Sequence, residues 1–284
     1  MSFINFCKFH GFGNDYIVIE KNEIPEGLEL PDLARAICNR HTGAGSDGIA
    51  VVHKLDGEKA DFFCDIINPD GSIAGFSGNG TRCAVAYLYY KKHWSYPGLK
   101  LQMRTGVKNF HLIERLSDSQ YWFEAEIGKP RFSSDKVPFN ADGTMDFILD
   151  REVEVGDRKF LISAVNVGNP VACTFVDDFD LDWRRYGKEL EVHQAFPDRA
   201  NIVFVKVLDN ENIEIKIWER GVGETASSGT CCSGAAVLSA HTGRTERTVS
   251  VVTEGGTTEI HWRNDDEILI TGRADFAYCG EWPV

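Results

Sequence analysis

No apolar run in the 284 residues approaches the roughly 20 that a membrane-spanning helix requires, so no helical span is expected. The N-terminus, "MSFINFCKFHGFG", lacks a charged stretch leading into an apolar one, and a cytoplasmic location is the expectation. Basic residues are in the minority, 30 Lys and Arg against 43 Asp and Glu, and the net charge of −13 argues against nucleic acid or an anionic membrane as partner. No CxxC pair and no HExxH helix occurs among the 8 cysteines and 8 histidines, so neither a structural zinc nor a metal catalyst is expected. A P-loop and a dinucleotide fingerprint are also missing, which leaves no nucleotide site to expect. Only Cys231 and Cys232 stand close together, and in a long chain without a signal peptide all the cysteines read as reduced thiols. A small solute is therefore the expected ligand, and a homodimer the only assembly entertained.

What is present is mostly strand. The runs "DYIVIE", "GIAVVHK", "ADFFCDIIN", "LKLQMRT", "YWFEAEIG", "VACTFVD", "ANIVFVKVL", "IEIKIWE", "RTVSVVT", "TTEIHWR" and "EILITGR" are short, rich in β-branched or aromatic residues, and mostly bounded by Gly, Asp, Asn or Pro. Helices are expected only at Leu30 to Cys38, Gly80 to Tyr90, Arg184 to Val192 and Thr230 to Ala240. This mixture indicates an α+β fold with mainly antiparallel sheets. The length suggests two domains of about 100–150 residues.

Two turns share one grammar. "GFSGNGTRCAVAY" runs from Gly75 and "TASSGTCCSGAAV" from Thr225; each places a serine, Ser77 or Ser228, before glycine and a helix of small residues. Asn68 begins a polar turn nine residues before Ser77, and Glu219 begins another nine before Ser228. The pattern is that of a repeated strand, turn, glycine loop and helix, with a boundary near Ser117 to Ser119 and the ligand between the halves. The opening N–H groups of a helix lack partners within it and carry partial positive charge, so the helix starts at Gly78 and Gly229 are natural carboxylate cradles. Two cradles that present one group to each face of an α-carbon are what a two-base racemase requires.

Six motifs, "KFHGFGNDYIVIE", "ICNRHTGAGSDGI", "INPDGSIAGFSGNGTRC", "VGNP", "FPDRANIVFV" and "ERGVGETASSGT", together resemble the diaminopimelate epimerase family in order and spacing over nearly the whole chain. The resemblance implies two pseudo-symmetric domains, 1–118 and 119–271, each a curved, mostly antiparallel sheet around a central helix, with about 272–284 returning to complete the first. It implies an isomerase of lysine and peptidoglycan precursor biosynthesis that interconverts LL- and meso-2,6-diaminopimelate by two-base proton transfer, without metal, pyridoxal phosphate or nucleotide. The family places a cysteine at the mouth of each central helix; Ser77 and Ser228 stand at those positions. By the same match Asn14 and Asn169 lie near the reacting amino-acid end, Asn68, Asn201, Glu219 and Arg220 recognise the distal amino and carboxylate groups, and Gly78-Asn79 and Gly229-Thr230 form the carboxylate cradles. The histidine that the family carries after Asn-Pro is Val171 here.

The serines bear on the chemistry. A thiol near a helix N-terminus ionises close to neutrality, whereas an alcohol needs a partner base. With the histidine replaced by Val171, no such base is visible in the sequence, and slow α-hydrogen exchange is expected. The alternative is a catalytically impaired or repurposed homologue that binds an amino acid in the same cleft. Plainer roles are also open: Ser77 and Ser228 as helix N-caps, Asn68 to Gly71 as a turn, and Glu219 with Arg220 as a surface ion pair. Cys231, roughly on the face of Ser228 and one turn deeper, is a candidate displaced thiol.

Overall fold

Buried and exposed positions alternate at the start of the first strand, β1 (Phe3–Gly11), which is followed by β2 (Asn14–Glu20), helix α1 (Leu30–Ile37), β3 (Ile49–Lys54), β4 (Phe62–Ile67), the short β5 (Ile73–Ala74), helix α2 (Gly78–Tyr90), β6 (Gly98–Met103), β7 (Gly106–Ser117) and β8 (Gln120–Gly128). There follow β9 (Ile148–Val155), β10 (Arg158–Asn166), β11 (Pro170–Phe175), α3 (Trp183–Glu191), β12 (Asn201–Val207), β13 (Asn212–Glu219), β14 (Gly223–Glu224), α4 (Gly229–His241), β15 (Thr248–Thr253), β16 (Gly256–Trp262) and the long β17 (Ile268–Pro283). The structure, a computed structural model, describes residues 2–57, 59–75, 77–141 and 143–284. It divides into two compact units, one reaching to Glu126 and taking in Thr271–Val284, the other Ile127–Ile270.

In the first unit β1 and β2 pair antiparallel, β2 and β3 pair parallel across α1, and β3 and β4 pair antiparallel. After β5 and α2 the chain returns as β6 parallel to β4, then turns antiparallel into β7 and β8. β17 joins both β1 and β8, which closes the sheet on itself. α2 is the core of that closed sheet, with every residue from Asn79 to Tyr89 buried. A helix covered on all sides has no polar face to present, and its run of Ala, Val, Cys and Leu with aromatic ends suits that position.

The second unit repeats the order step for step. β10 and β11 pair antiparallel, β11 and β12 parallel across α3, β12 and β13 antiparallel, and β13 carries the short β14. After α4 the chain returns as β15 parallel to β13 and turns into β16. α4, Gly-Thr-Cys-Cys-Ser-Gly-Ala-Ala-Val-Leu, is buried from Thr230 to Ser239. The expected α+β fold, with a curved and mostly antiparallel sheet around a helix in each half, is what forms.

Three expectations change. Cys7 and Cys279 are joined in a disulfide, because antiparallel β1 and β17 place them directly opposite; a partner 272 positions away in sequence leaves no spacing signature. The Ser117 to Ser119 stretch is the turn of the β7–β8 hairpin, and the division between units falls at Glu126/Ile127. Strands β1, β7, β9 and β10 and the two-residue strands β5 and β14 form where no strand is predicted. No helix among the described residues is long and apolar enough to cross a membrane.

Candidate active site

Ser77 caps α2. Its extended backbone, φ −139° and ψ 119°, turns the hydroxyl back over the first turn, where Oγ accepts the Gly80 N–H at 3.1 Å. Ser228 has nearly the same backbone before α4, φ −147° and ψ 121°, but its side chain makes no cap bond. The Ser228 hydroxyl instead donates to Glu219 Oε2 at 3.1 Å. One serine thus keeps the plain capping role and the other abandons it.

Each hydroxyl has an acidic or basic neighbour that sequence reasoning did not supply. Beside Ser77 it is Tyr16, whose phenolic oxygen lies 2.9 Å from Oγ. Beside Ser228 it is Glu219, read from the sequence as a distal-group ligand or half of an ion pair with Arg220. Burial pushes the Glu219 carboxyl above the usual carboxylate range, and the hydrogen bond from Ser228 offsets only part of that. Arg220 turns elsewhere, donating from Nη1 to the Asp198 carbonyl at 3.1 Å.

The nominated residues of the first unit form a connected network. Asn79 Nδ2 donates to Asn14 Oδ1 at 3.1 Å, and Asn14 Nδ2 donates to Asp47 Oδ2 at 2.8 Å. Asp47 and Asp15 share Arg40, each 2.7 Å from Nη2, and Lys8 Nζ stands 2.6 Å from Asp15. Burial alone would raise Asp15, but the hydrogen bonds and charges of Arg40 and Lys8 hold it below the ordinary carboxylate range. From the other side the buried Arg82 donates to Asn79 Oδ1. Gly11 permits this approach, since a Cβ there would lie 2.9 Å from Asn79 Oδ1. Asn14 and Asn79 therefore have fixed orientations. Asn68 stands apart in the turn after β4, where its Nδ2 donates to Ser72 Oγ at 2.9 Å.

In the second unit Asn201 ties three segments together: Nδ2 donates to the Pro170 carbonyl at 3.1 Å, and Oδ1 accepts the Arg220 N–H at 2.9 Å. Asn169 sits beside Pro170, in the turn between β10 and β11. Thr230 Oγ1 is 3.5 Å from Ser228 Oγ. Val171, in place of the family's histidine, is fully buried on β11 against α4: a Cβ on Gly234 would lie 2.7 Å from Val171 Cγ1. The helix is seated on that valine, which has nothing to offer a proton. Cys231 is wholly enclosed, and burial drives its thiol far up, so it supplies no thiolate in place of Ser228. The same holds for Cys83 on α2.

Tyr16, Asp47 and Arg82 escaped the sequence reading. Tyr16 carried the one usable signal, the only polar tip in the otherwise aliphatic run "YIVI", two positions from Asn14 and so on the same face of β2.

The sequence model described as "Diaminopimelate epimerase" matches residues 6–117 and 163–277. A diaminopimelate epimerase of Caldanaerobacter subterraneus is 35% identical over 98% of this chain and 99% of its own length, and one of Halothermothrix orenii is 31% identical over 98% and 97%. The chain belongs to the diaminopimelate epimerase family. Solved structures extend the fold further at low identity. A hydroxyproline epimerase from Agrobacterium vitis superposes with a TM-score of 0.69 at 14% identity, covering 99% of this chain and 91% of that one. A phenazine biosynthesis protein from Bacillus anthracis gives 0.70 at 14%, covering all of both chains.

Proposed function

We propose that this protein is a diaminopimelate epimerase that interconverts LL- and meso-2,6-diaminopimelate, in which two serine hydroxyls take the proton off one face of the α-carbon and return one to the other. The observation that carries this reading is the pairing of Ser228 with Glu219 at 3.1 Å, at the start of a buried helix. An alcohol on its own is a poor base, but here the carboxylate accepts its proton while the serine oxygen accepts the α-proton. The Ser228 proton points at Glu219, so its oxygen can act only as an acceptor; Thr230 Oγ1 lies 3.5 Å from it, and in this reading the remaining lone pair takes the substrate proton. Ser228 is accordingly the proton acceptor and Ser77 the donor in the forward direction, with the roles exchanged in reverse.

The α-carboxylate is held at the helix starts, by the opening N–H groups at Gly78-Asn79 and Gly229-Thr230, where the helix ends favour an anion. Asn14 and Asn169 orient the reacting end. Asn68, Asn201 and Arg220 serve the distal amino and carboxylate groups, Arg220 as the charge-bearing contact. Glu219 leaves that set for the proton transfer. The enzyme acts in the cytoplasm, alone or as a homodimer, and needs no cofactor. Incubating purified protein with LL-diaminopimelate and resolving the stereoisomers by chromatography is the test. Accumulation of the meso form supports the reading; unchanged LL substrate, with tight calorimetric binding of some other amino acid, overturns it.

A further inference from the structure

We infer that Tyr16 is the proton source behind Ser77: a positioning residue that acts through the serine and recharges it during turnover. The inference rests on the reading of Ser77 as the donor. Its observation is separate, a phenol 2.9 Å from the serine oxygen.

Ser77 Oγ has two acceptor positions and one proton. The Gly80 N–H fills the first position at 3.1 Å. Either oxygen could donate in the Tyr16 pair; in the proposed arrangement Tyr16 donates, both Ser77 lone pairs are used, and the serine's own proton lies outside that pair. This is the geometry of an acid. Ser228 differs, because its proton is committed to Glu219 and its oxygen is left to accept. The two serines share a backbone conformation, so the difference lies in their neighbours.

Tyr16 is held for this purpose rather than loosely near. It is buried in β2, and its ring lies between two glycines: a Cβ at Gly48 would come within 2.7 Å of it and a Cβ at Gly80 within 2.9 Å. Space has been cleared on both sides by residues with no side chain. A phenylalanine would fill the same slot, so the hydroxyl is not needed for packing. Its contribution is to chemistry, because a phenol, with an ordinary pKa of about 10, gives up its proton far more readily than an alcohol.

The transfer balances. As the α-carbanion takes the Ser77 proton, forming the C–H bond, the Ser77 oxygen takes the Tyr16 proton, and the negative charge of the carbanion ends on the phenolate. Glu219 has meanwhile gained the proton first removed through Ser228. Solvent then reprotonates Tyr16 and deprotonates Glu219, which resets the site without any other reagent. In the reverse direction the Tyr16 phenolate receives the proton back through Ser77.

Tyr16→Phe is the test. The kcat for diaminopimelate inversion should fall at least tenfold with KM unchanged, and the alkaline fall in rate that the proposal expects of the native protein should vanish. Unchanged kcat and an unchanged alkaline limb would overturn the inference. A second measurement needs no turnover: with tyrosine carrying carbon-13 at Cζ, Ser77→Ala should move the Tyr16 resonance and its titration midpoint. If the native protein inverts no diaminopimelate, the functional reading falls, and this titration alone decides the placement of Tyr16; a resonance indifferent to Ser77→Ala overturns it.

Discussion

Glu219 accepts the Ser228 hydroxyl at 3.1 Å from a position where burial raises its pKa. Glu219→Gln keeps an acceptor for the serine and removes the base, so α-hydrogen exchange should drop by about 10²–10⁴. In the native protein exchange should fall as pH drops through the raised Glu219 pKa. Stability moves the other way. A carboxyl whose folded pKa is raised binds its proton more tightly in the folded state, so its favourable contribution is present below the unfolded value and lost as pH rises through the folded one. Glu219→Gln should therefore melt above the native protein at pH 8, with the advantage gone below about pH 4. Thermal melts across pH, read beside the exchange rates, check both signs.

Asp15 is the opposite case, held below the ordinary range by Arg40 and Lys8 against the effect of its own burial. Asp15→Asn leaves two cations facing an amide and should destabilise by about 3 kcal/mol at pH 7. The contribution of a depressed carboxyl is present above its unfolded pKa and lost as pH falls through its folded one. The gap between native and variant melting temperatures should accordingly close in strong acid. Because Asp15 and Asp47 share Arg40, and Asp47 fixes Asn14, turnover should fall as well.

Gly234 lets α4 lie against Val171, with only 2.7 Å between a would-be Cβ and Val171 Cγ1. Gly234→Ala should cost about 1–3 kcal/mol by overpacking. Adding Val171→Ala should recover most of that loss, since it removes the methyl groups in the way. Urea unfolding of both single variants and the double variant gives the coupling. Additive losses would mean that the two do not touch.

The Cys7–Cys279 disulfide joins β1 to β17 across 272 residues of chain. Reducing it frees the unfolded ensemble from that constraint, at about 3 kcal/mol of stability. Dithiothreitol should lower the melting temperature and leave the exchange rate almost unchanged, since neither cysteine lies in the network around Asn14 and Ser77. Mass spectrometry of the non-reduced digest identifies the bond.

Much of the fold was legible. All four helices lie within two residues of their expected ends; three start at a cap or a glycine, and α1 starts with Pro31 in its first turn. The two parallel crossovers of each unit follow from those helices. Of the strands that escaped, β7 with "GVKNFHLIERLS" and β9 with "ILDREVEV" are charged and largely exposed and lack the apolar alternation of a half-buried strand, whereas β1 does alternate and most of β10 is buried. Sheet partners far apart in sequence hold them, as β17 holds β1.

At the site, the serines and the glycines behind them announced themselves through the repeat. Their proton partners did not. Tyr16 precedes Ser77 by 61 residues, and only the folding of β2 against the start of α2 brings them together. Glu219 was visible as a residue, but sequence shows that Arg220 is its neighbour and not that its carboxylate accepts the Ser228 hydroxyl while Arg220 turns to the Asp198 carbonyl. The missing histidine at Val171 suggested idle serines; the proposed route instead uses Tyr16 and Glu219, which hydrogen-bond the two hydroxyls.

Deuterium incorporation at the α-carbon of diaminopimelate in heavy water, compared among the native protein, Ser77→Ala and Ser228→Ala, is the most direct measurement. If the hydroxyls are the working acid and base, the native protein incorporates deuterium with inversion, and either alanine lowers inversion by at least 10²-fold. Inversion that survives both substitutions would contradict this, and would leave Ser77 as no more than a helix cap and Ser228 as no more than a ligand of Glu219.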